Sequence, residues 1–281
     1  MKIRFPRTAG TFYDARPEAL RKQVEDCFSH TLGVGSLPRL REDGPRKVLA
    51  LISPHAGYMY SGPVASHAYH RLAEDGRPNV FIILGPNHTG FGSGVSLMVE
   101  GAWRTPLGDS MVDSEVAAQI VKASTLMDVD EQAHRFEHSI EVQLPFLQFI
   151  YGTVRIVPIC FLMQDLETSR EVGEAIAEAV KGLNAVIIAS TDLTHYEPQR
   201  VASVKDHRVI EAIQGLQEAT VQEVVESNSV SMCGPGPVMA TLVAARRLGA
   251  QKADLLCYKT SGDITGDYGS VVGYASLLFT K

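Results

Sequence analysis

No stretch of about 18 apolar residues occurs in this chain of 281 residues, so no transmembrane helix is expected. The first residues, Met1-Lys2-Ile3-Arg4-Phe5-Pro6-Arg7, lack the apolar core of a secretory signal, which makes the cytoplasm the default address. A dense Lys/Arg block is missing too. The most basic run, Pro38 to Lys47, is interrupted by Glu42 and Asp43 and reads as a solvated loop. With 32 acids against 26 bases the formal charge is −6, a poor match for nucleic acid or an anionic membrane. Cysteine is scarce: Cys27, Cys160, Cys233 and Cys257 are scattered without a CxxC pair, so no disulfide framework is expected. Repeats and low-complexity tracts are absent, as are the GxxxxGK[ST] phosphate loop, the GxSxG elbow and HExxH. Gly90-x-Gly92-x-Gly94 lacks dinucleotide-site spacing and reads as a flexible loop.

What is present is an alternation of short apolar runs and helical patterns. Residues 17–32 predict a helix, with Pro17 suited to a first turn and Leu20, Val24, Phe28 and Leu32 at i, i+4 spacing. Buried-strand runs follow at Lys47–Ser53, Asn79–Gly85, Arg155–Phe161, Asn184–Ser190, Ala253–Thr260 and Ser270–Phe279. Pro158 suggests that the third is an edge strand or an irregular one. Gly94–Val99 is a candidate short antiparallel piece. Helices are predicted at about 62–74, 114–124, 138–150, 167–181, 204–227 and 236–248. This pattern predicts one α/β domain over 1–281, a three-layer α/β/α sandwich around a mainly parallel or mixed sheet.

Three of the strand runs end in loops that carry histidine: Pro54-His55-Ala56-Gly57, Pro86-Asn87-His88-Thr89 and Asp192-Leu193-Thr194-His195. Ligands of open α/β sheets gather outside the carboxyl ends of the strands, so His55, His88 and His195 are expected at one site. Gly57, Gly85 and Gly90 beside them suit tight turns or close backbone approach. Cys233 precedes Gly234-Pro235-Gly236-Pro237 at the start of an apolar helix, where the helix dipole favours thiolate; the alternative is a packing role. His138 and Glu141 share one face of a helix and read as a ligand, an acid/base couple, an orienting pair, or a helix-terminus hydrogen bond. His30, His67, His70, His134 and His207 read as surface or packing residues, and Trp103 as part of a packed turn rimming the pocket.

These stretches carry a resemblance. Ala9-Gly10-Thr11-Phe12-Tyr13, Pro54-His55-Ala56-Gly57-Tyr58, Gly85-Pro86-Asn87-His88 and Trp103-Arg104-Thr105-Pro106-Leu107-Gly108 come first. Glu137-His138-Ser139-Ile140-Glu141-Val142-Gln143-Leu144-Pro145-Phe146, Ser190-Thr191-Asp192-Leu193-Thr194-His195-Tyr196 and Cys233-Gly234 follow in order. Together they resemble the Memo family, which in prokaryotes includes AmmeMemoRadiSam system protein B, from about residue 4 to 279. The resemblance implies a fold like the class III extradiol (LigB-like) dioxygenases, which hold nonhaem Fe(II) with two His and a carboxylate. It implies a metal pocket of His55, His88 and Cys233 for copper or iron, with Asp192 and His195 beside it. Gly-Pro-Gly-Pro here replaces the family's usual Gly-Arg-His-Pro after the Cys, so no residue stands for that Arg and His.

Three functional readings follow. The first is a redox metalloprotein acting on an unknown small molecule. Fe or Cu is its expected metal and Zn an alternative, since a His₂Cys set suits soft or borderline ions. In it His195 is a fourth ligand or an acid/base oriented by Asp192, with His138 and Glu141 assisting. The second is a non-catalytic adaptor or metal-handling module with a vestigial pocket. The third is a hydrolase-like enzyme with Cys233 as nucleophile, His195 as base and Asp192 as orienter. The prokaryotic family name also implies a radical-SAM pathway partner.

Overall fold

The computed structural model describes residues 2–281. The elements run β1 (Ile3–Arg4), α1 (Pro17–Ser29), β2 (Val48–Ser53), α2 (Tyr58–Asp75) and β3 (Val80–Pro86). Next come β4 (Val95–Leu97), β5 (Ala102–Thr105), β6 (Gly108–Val112), α3 (Ser114–Ala123) and β7 (Met127–Val129). A 3-10 turn (Glu141–Gln143) leads into α4 (Leu144–Tyr151), then β8 (Arg155–Phe161), α5 (Leu166–Ala179), β9 (Ala185–Ser190) and β10 (His195–Glu197). The chain closes with α6 (Gln199–Gln214), α7 (Glu218–Ser227), α8 (Pro235–Arg247), β11 (Lys252–Thr260), α9 (Ser261–Thr265) and β12 (Val271–Thr280).

The main sheet path is β1-β5-β6-β8-β3-β9-β2-β12-β10. Its centre, β8-β3-β9-β2, is parallel, and β12 closes antiparallel on β2. Side chains of the central strands alternate between two cores. Ile82, Leu84, Ile187 and Ala189 face the side packed by α5 and α8, while Phe81, Ile83, Val186 and Ile188 face the side of α1, α2 and α4. Period-2 alternation between two apolar layers explains why these strands read as unbroken hydrophobic runs. The result is the predicted α/β/α sandwich.

Three sequence expectations need correction. The strand around Pro158 is internal, with β3 on one side and β6 and then β4 on the other. The Pro158 carbonyl accepts from Met98 N, so the imide nitrogen faces that same side, where β6 has ended and β4 begins; the irregularity is there, not an edge. The helix expected over 204–227 is two helices, broken at Gly215-Leu216-Gln217, where Leu216 has φ 55°. Trp103 is not on a pocket rim. It is fully buried in β5, beneath the Arg4 guanidinium and edge-on to His134.

The sheet order bears directly on function. β3, β9 and β2 are neighbours, so the loops after Pro86, Ser190 and Ser53 emerge side by side. The approach is close enough that Thr191 N donates to Ser53 O across 3.0 Å.

Candidate metal centre

Each loop holds its side chain by local hydrogen bonds. After β2, His55 is buried; its backbone N donates to Asp192 Oδ1 (2.8 Å) and its Nδ1 lies 2.9 Å from Ser190 Oγ. After β3, Asn87 Oδ1 accepts from Thr89 N, Thr89 Oγ1 and Gly90 N, an Asx-type turn that Gly90 completes at φ 73°. His88 projects from this turn, and both its backbone N (2.6 Å) and its Nδ1 (2.9 Å) meet the Glu137 carboxylate. Glu137 is fully buried and also accepts from the backbone N of His138 and Ser139. Because a carboxylate only accepts, His88 carries a proton on Nδ1, and Nε2 is the nitrogen left to face a cation.

Cys233 lies one residue before the N-cap of α8, with Gly234 N donating to Thr191 Oγ1 (3.0 Å). Gln164 spans the Gly-Pro-Gly-Pro turn: its Nε2 donates to Cys233 O and its Oε1 accepts from Gly236 N, both at 3.0 Å. A Cβ on Gly236 would meet Gln164 at 3.0 Å, so a side chain at that position would crowd this bridge.

The structure brings His55, His88 and Cys233 together: one ligand atom from each lies within 4.8 Å of the others. Cys233 Sγ is 3.2 Å from His55 Nε2 and accepts from Asp192 N at 3.1 Å. His138 stands against both histidines, its ring centroid 4.6 Å from His88 and 5.4 Å from His55, and the Phe12 ring covers its far side. His88, Glu137 and His138 form a second close group. There the carboxylate already accepts from the four N–H donors named above, three of them on Oε1, which makes it an orienting group.

Electrostatics sort these groups. Burial, with repulsion from any charge on His138 and His88, holds His55 well below the ordinary imidazole range. Burial also depresses His88, but the Glu137 carboxylate outweighs it and raises the net value; burial keeps His138 low. The Cys233 thiol goes up, first from burial and then from the Asp192 charge. The expected thiolate at the helix start is therefore a thiol while no cation is bound. Burial raises Asp192 to about 6.

Two candidate residues stand elsewhere. Glu141 does not pair with His138. Its buried carboxylate takes Arg4, Tyr13 OH (2.5 Å), Thr8 Oγ1 (2.8 Å) and the backbone N of Arg7 and Thr8. Arg4 in turn reaches the carbonyls of His134 and Glu137, so the Arg4–Glu141 pair braces the segment that carries Glu137 and His138. The predicted helix over 138–150 puts the two on one face; the chain instead turns at 138–140 before the 3-10 turn begins. His195, in β10, gives its Nδ1–H to Ser231 O (2.8 Å) and is not part of the close group of three. Among the described residues Asp192 makes no hydrogen bond to it, and its Oδ1 serves the His55 backbone instead. Sequence reasoning missed Glu137, Ser190 and Gln164. For Glu137 the available signal is an acid placed between two histidine-bearing motifs and directly before His138.

Comparison with known proteins agrees with this architecture. The profile of the family described as Memo-like protein matches residues 4–278. A MEMO1 family protein of Methanopyrus kandleri is 55% identical over 281 residues, covering 99% of both chains. One of Methanothermobacter thermautotrophicus is 52% identical, covering 98% of this chain and 99% of its own. A crystal structure of an uncharacterized protein from Escherichia coli K12 superposes with a TM-score of 0.55 at 15% identity, over 83% of this chain and 99% of that one, a likeness of fold alone. With the family pattern running through all three ligand-bearing loops and relatives more than half identical along the whole chain, this protein belongs to the Memo family.

Proposed function

We propose that the chain is a transition-metal protein that holds one ion between His55 Nε2, His88 Nε2 and Cys233 Sγ and acts on a small molecule. The observation that carries this reading is the convergence of the three ligand atoms within 4.8 Å from loops far apart in sequence. The donor chemistry fits. Two imidazoles, one kept neutral by burial and one whose Nδ1–H is fixed by a carboxylate so that Nε2 faces the site, with one thiol, suit Fe, Cu or Zn and not Mg or Ca. A bound ion would supply Lewis-acid or redox chemistry there. The protein's own part is to orient and to handle protons. Glu137 fixes the plane and tautomer of His88. His138, partly open to solvent and packed on both ligand histidines, is placed to take or give a proton. Asp192, near 6, can hold a proton close to neutrality while fixing the His55 backbone.

The test is metal analysis of protein purified without added metal. We expect Fe, Cu or Zn near stoichiometric in the wild type and lost in the double variant His55→Ala, Cys233→Ala. Equal metal content in both would overturn the reading. A nucleophilic Cys233 is the second reading, favoured by the 3.2 Å contact to His55 Nε2; its base would then be His55 and not His195.

A further inference from the structure

Gln143, at the end of the 3-10 turn, touches none of the three ligand atoms, yet its hydrogen bonds decide the state of one of them. The side chain is buried. Its Nε2 lies 3.0 Å from Pro54 O and 2.8 Å from Ser190 Oγ, and its Oε1 lies 2.6 Å from Tyr69 OH. A peptide carbonyl only accepts, so the group facing Pro54 O is the NH₂, and the amide orientation is settled. Its second hydrogen goes to Ser190 Oγ. The single hydroxyl hydrogen of Ser190 goes the other way, to the carbonyl of Ser139 at 2.7 Å, another obligate acceptor. Ser190 Oγ therefore has no hydrogen left for His55. At 2.9 Å the imidazole Nδ1 must be the donor, and Nε2 carries the lone pair.

We propose that Gln143, acting through Ser190, is a positioning residue that keeps the His55 proton on Nδ1 and so presents a bare Nε2 beside Cys233 Sγ. Free imidazole has no such constraint; here two fixed carbonyls, of Pro54 and Ser139, impose it. Without the Gln143 amide, only the Ser139 carbonyl holds the Ser190 side chain, and its hydroxyl gains the freedom to rotate toward His55 Nδ1. The inference rests on the metal reading only for its affinity consequence, because the tautomer itself is a property of the metal-free protein.

Both can be read separately. Long-range nitrogen–proton NMR correlations of the metal-free wild type should show His55 protonated on Nδ1. In Gln143→Leu and Ser190→Ala the same signals should move to the Nε2–H form or to an averaged pair. Titration with Co(II) alone, followed by its thiolate charge-transfer absorption, should show affinity about 10- to 100-fold weaker in both variants. A wild-type His55 with its proton on Nε2 would overturn the proposal, whether or not the variants fold. So would a folded Gln143→Leu that keeps both the tautomer and the Co(II) affinity. Failure of the wild type to bind Co(II), with the Nδ1–H form present, would sink the metal centre and leave the Gln143 assignment standing.

Discussion

The Nε2 atom of His55 and the Sγ atom of Cys233 lie 3.2 Å apart although 178 positions separate the residues in sequence. The contact pairs a bare imidazole nitrogen with a thiol whose acidity is suppressed by burial and by Asp192. In metal-stripped protein, iodoacetamide labelling of the Cys233 peptide should be slow at pH 7 and still rising at pH 9, above the ordinary thiol midpoint of about 8.5. Added Zn(II) should protect it. A labelling profile that levels off near pH 7 would instead support the nucleophile reading.

Glu137 should matter to metal affinity without being a ligand. Glu137→Gln keeps the volume but replaces an anionic acceptor with an amide whose NH₂ must face at least one of the four N–H donors. We expect Zn(II) affinity to fall about 10- to 100-fold, measured by competition with a chromophoric chelator. An unchanged affinity would mean that the backbone alone orients His88.

The Arg4–Glu141 pair is a stability element near the site. Removing one partner leaves a buried charge without compensation, which typically costs about 3–5 kcal/mol. Glu141→Ala should lower the urea midpoint accordingly and expose the bond after Arg7 to trypsin, since Arg7 N and Thr8 N lose their acceptor. Wild-type resistance to trypsin in that variant would contradict the bracing role.

His134 sets a pH dependence. Burial and then the Arg4 charge push it down to about 4, against 6.5 for an unperturbed imidazole. The unfolded chain thus binds the extra proton between pH 6.5 and 4, and the folded protein does not. Stability from this group is complete above pH 6.5, declines as pH falls toward 4, and levels off below; the span is on the order of 3 kcal/mol. His134→Leu should flatten that part of the urea-midpoint curve. An identical slope in both proteins would assign the acid sensitivity elsewhere.

Much of this was legible because strand and ligand share a signal. An apolar run that stops at Ser53-Pro54-His55 marks both the end of a buried strand and the rim where ligands collect. The unbroken apolar runs that mark β3 and β9 in the sequence are the residues whose side chains, turned alternately to the two faces, fill the two cores. Periodicity failed where two helices stay in phase across a break, as at Leu216, and where a turn replaces a helix, as at His138. The partner of Glu141 was invisible for another reason: Arg4 lies 137 positions away, and spacing along the chain carries no information about such a pair. Glu137 and Gln143 are polar residues in an apolar setting, a pattern that marks a buried network without saying what it serves.

The order of the loops has a consequence for biosynthesis. His55 and His88 leave the ribosome well before Cys233, and β12, which pairs with the His55 strand, is the last strand made. During translation this group of three is represented only by its two imidazoles until Cys233 has been added. If the site holds a metal as proposed, its full donor set exists only once most of the chain has been made.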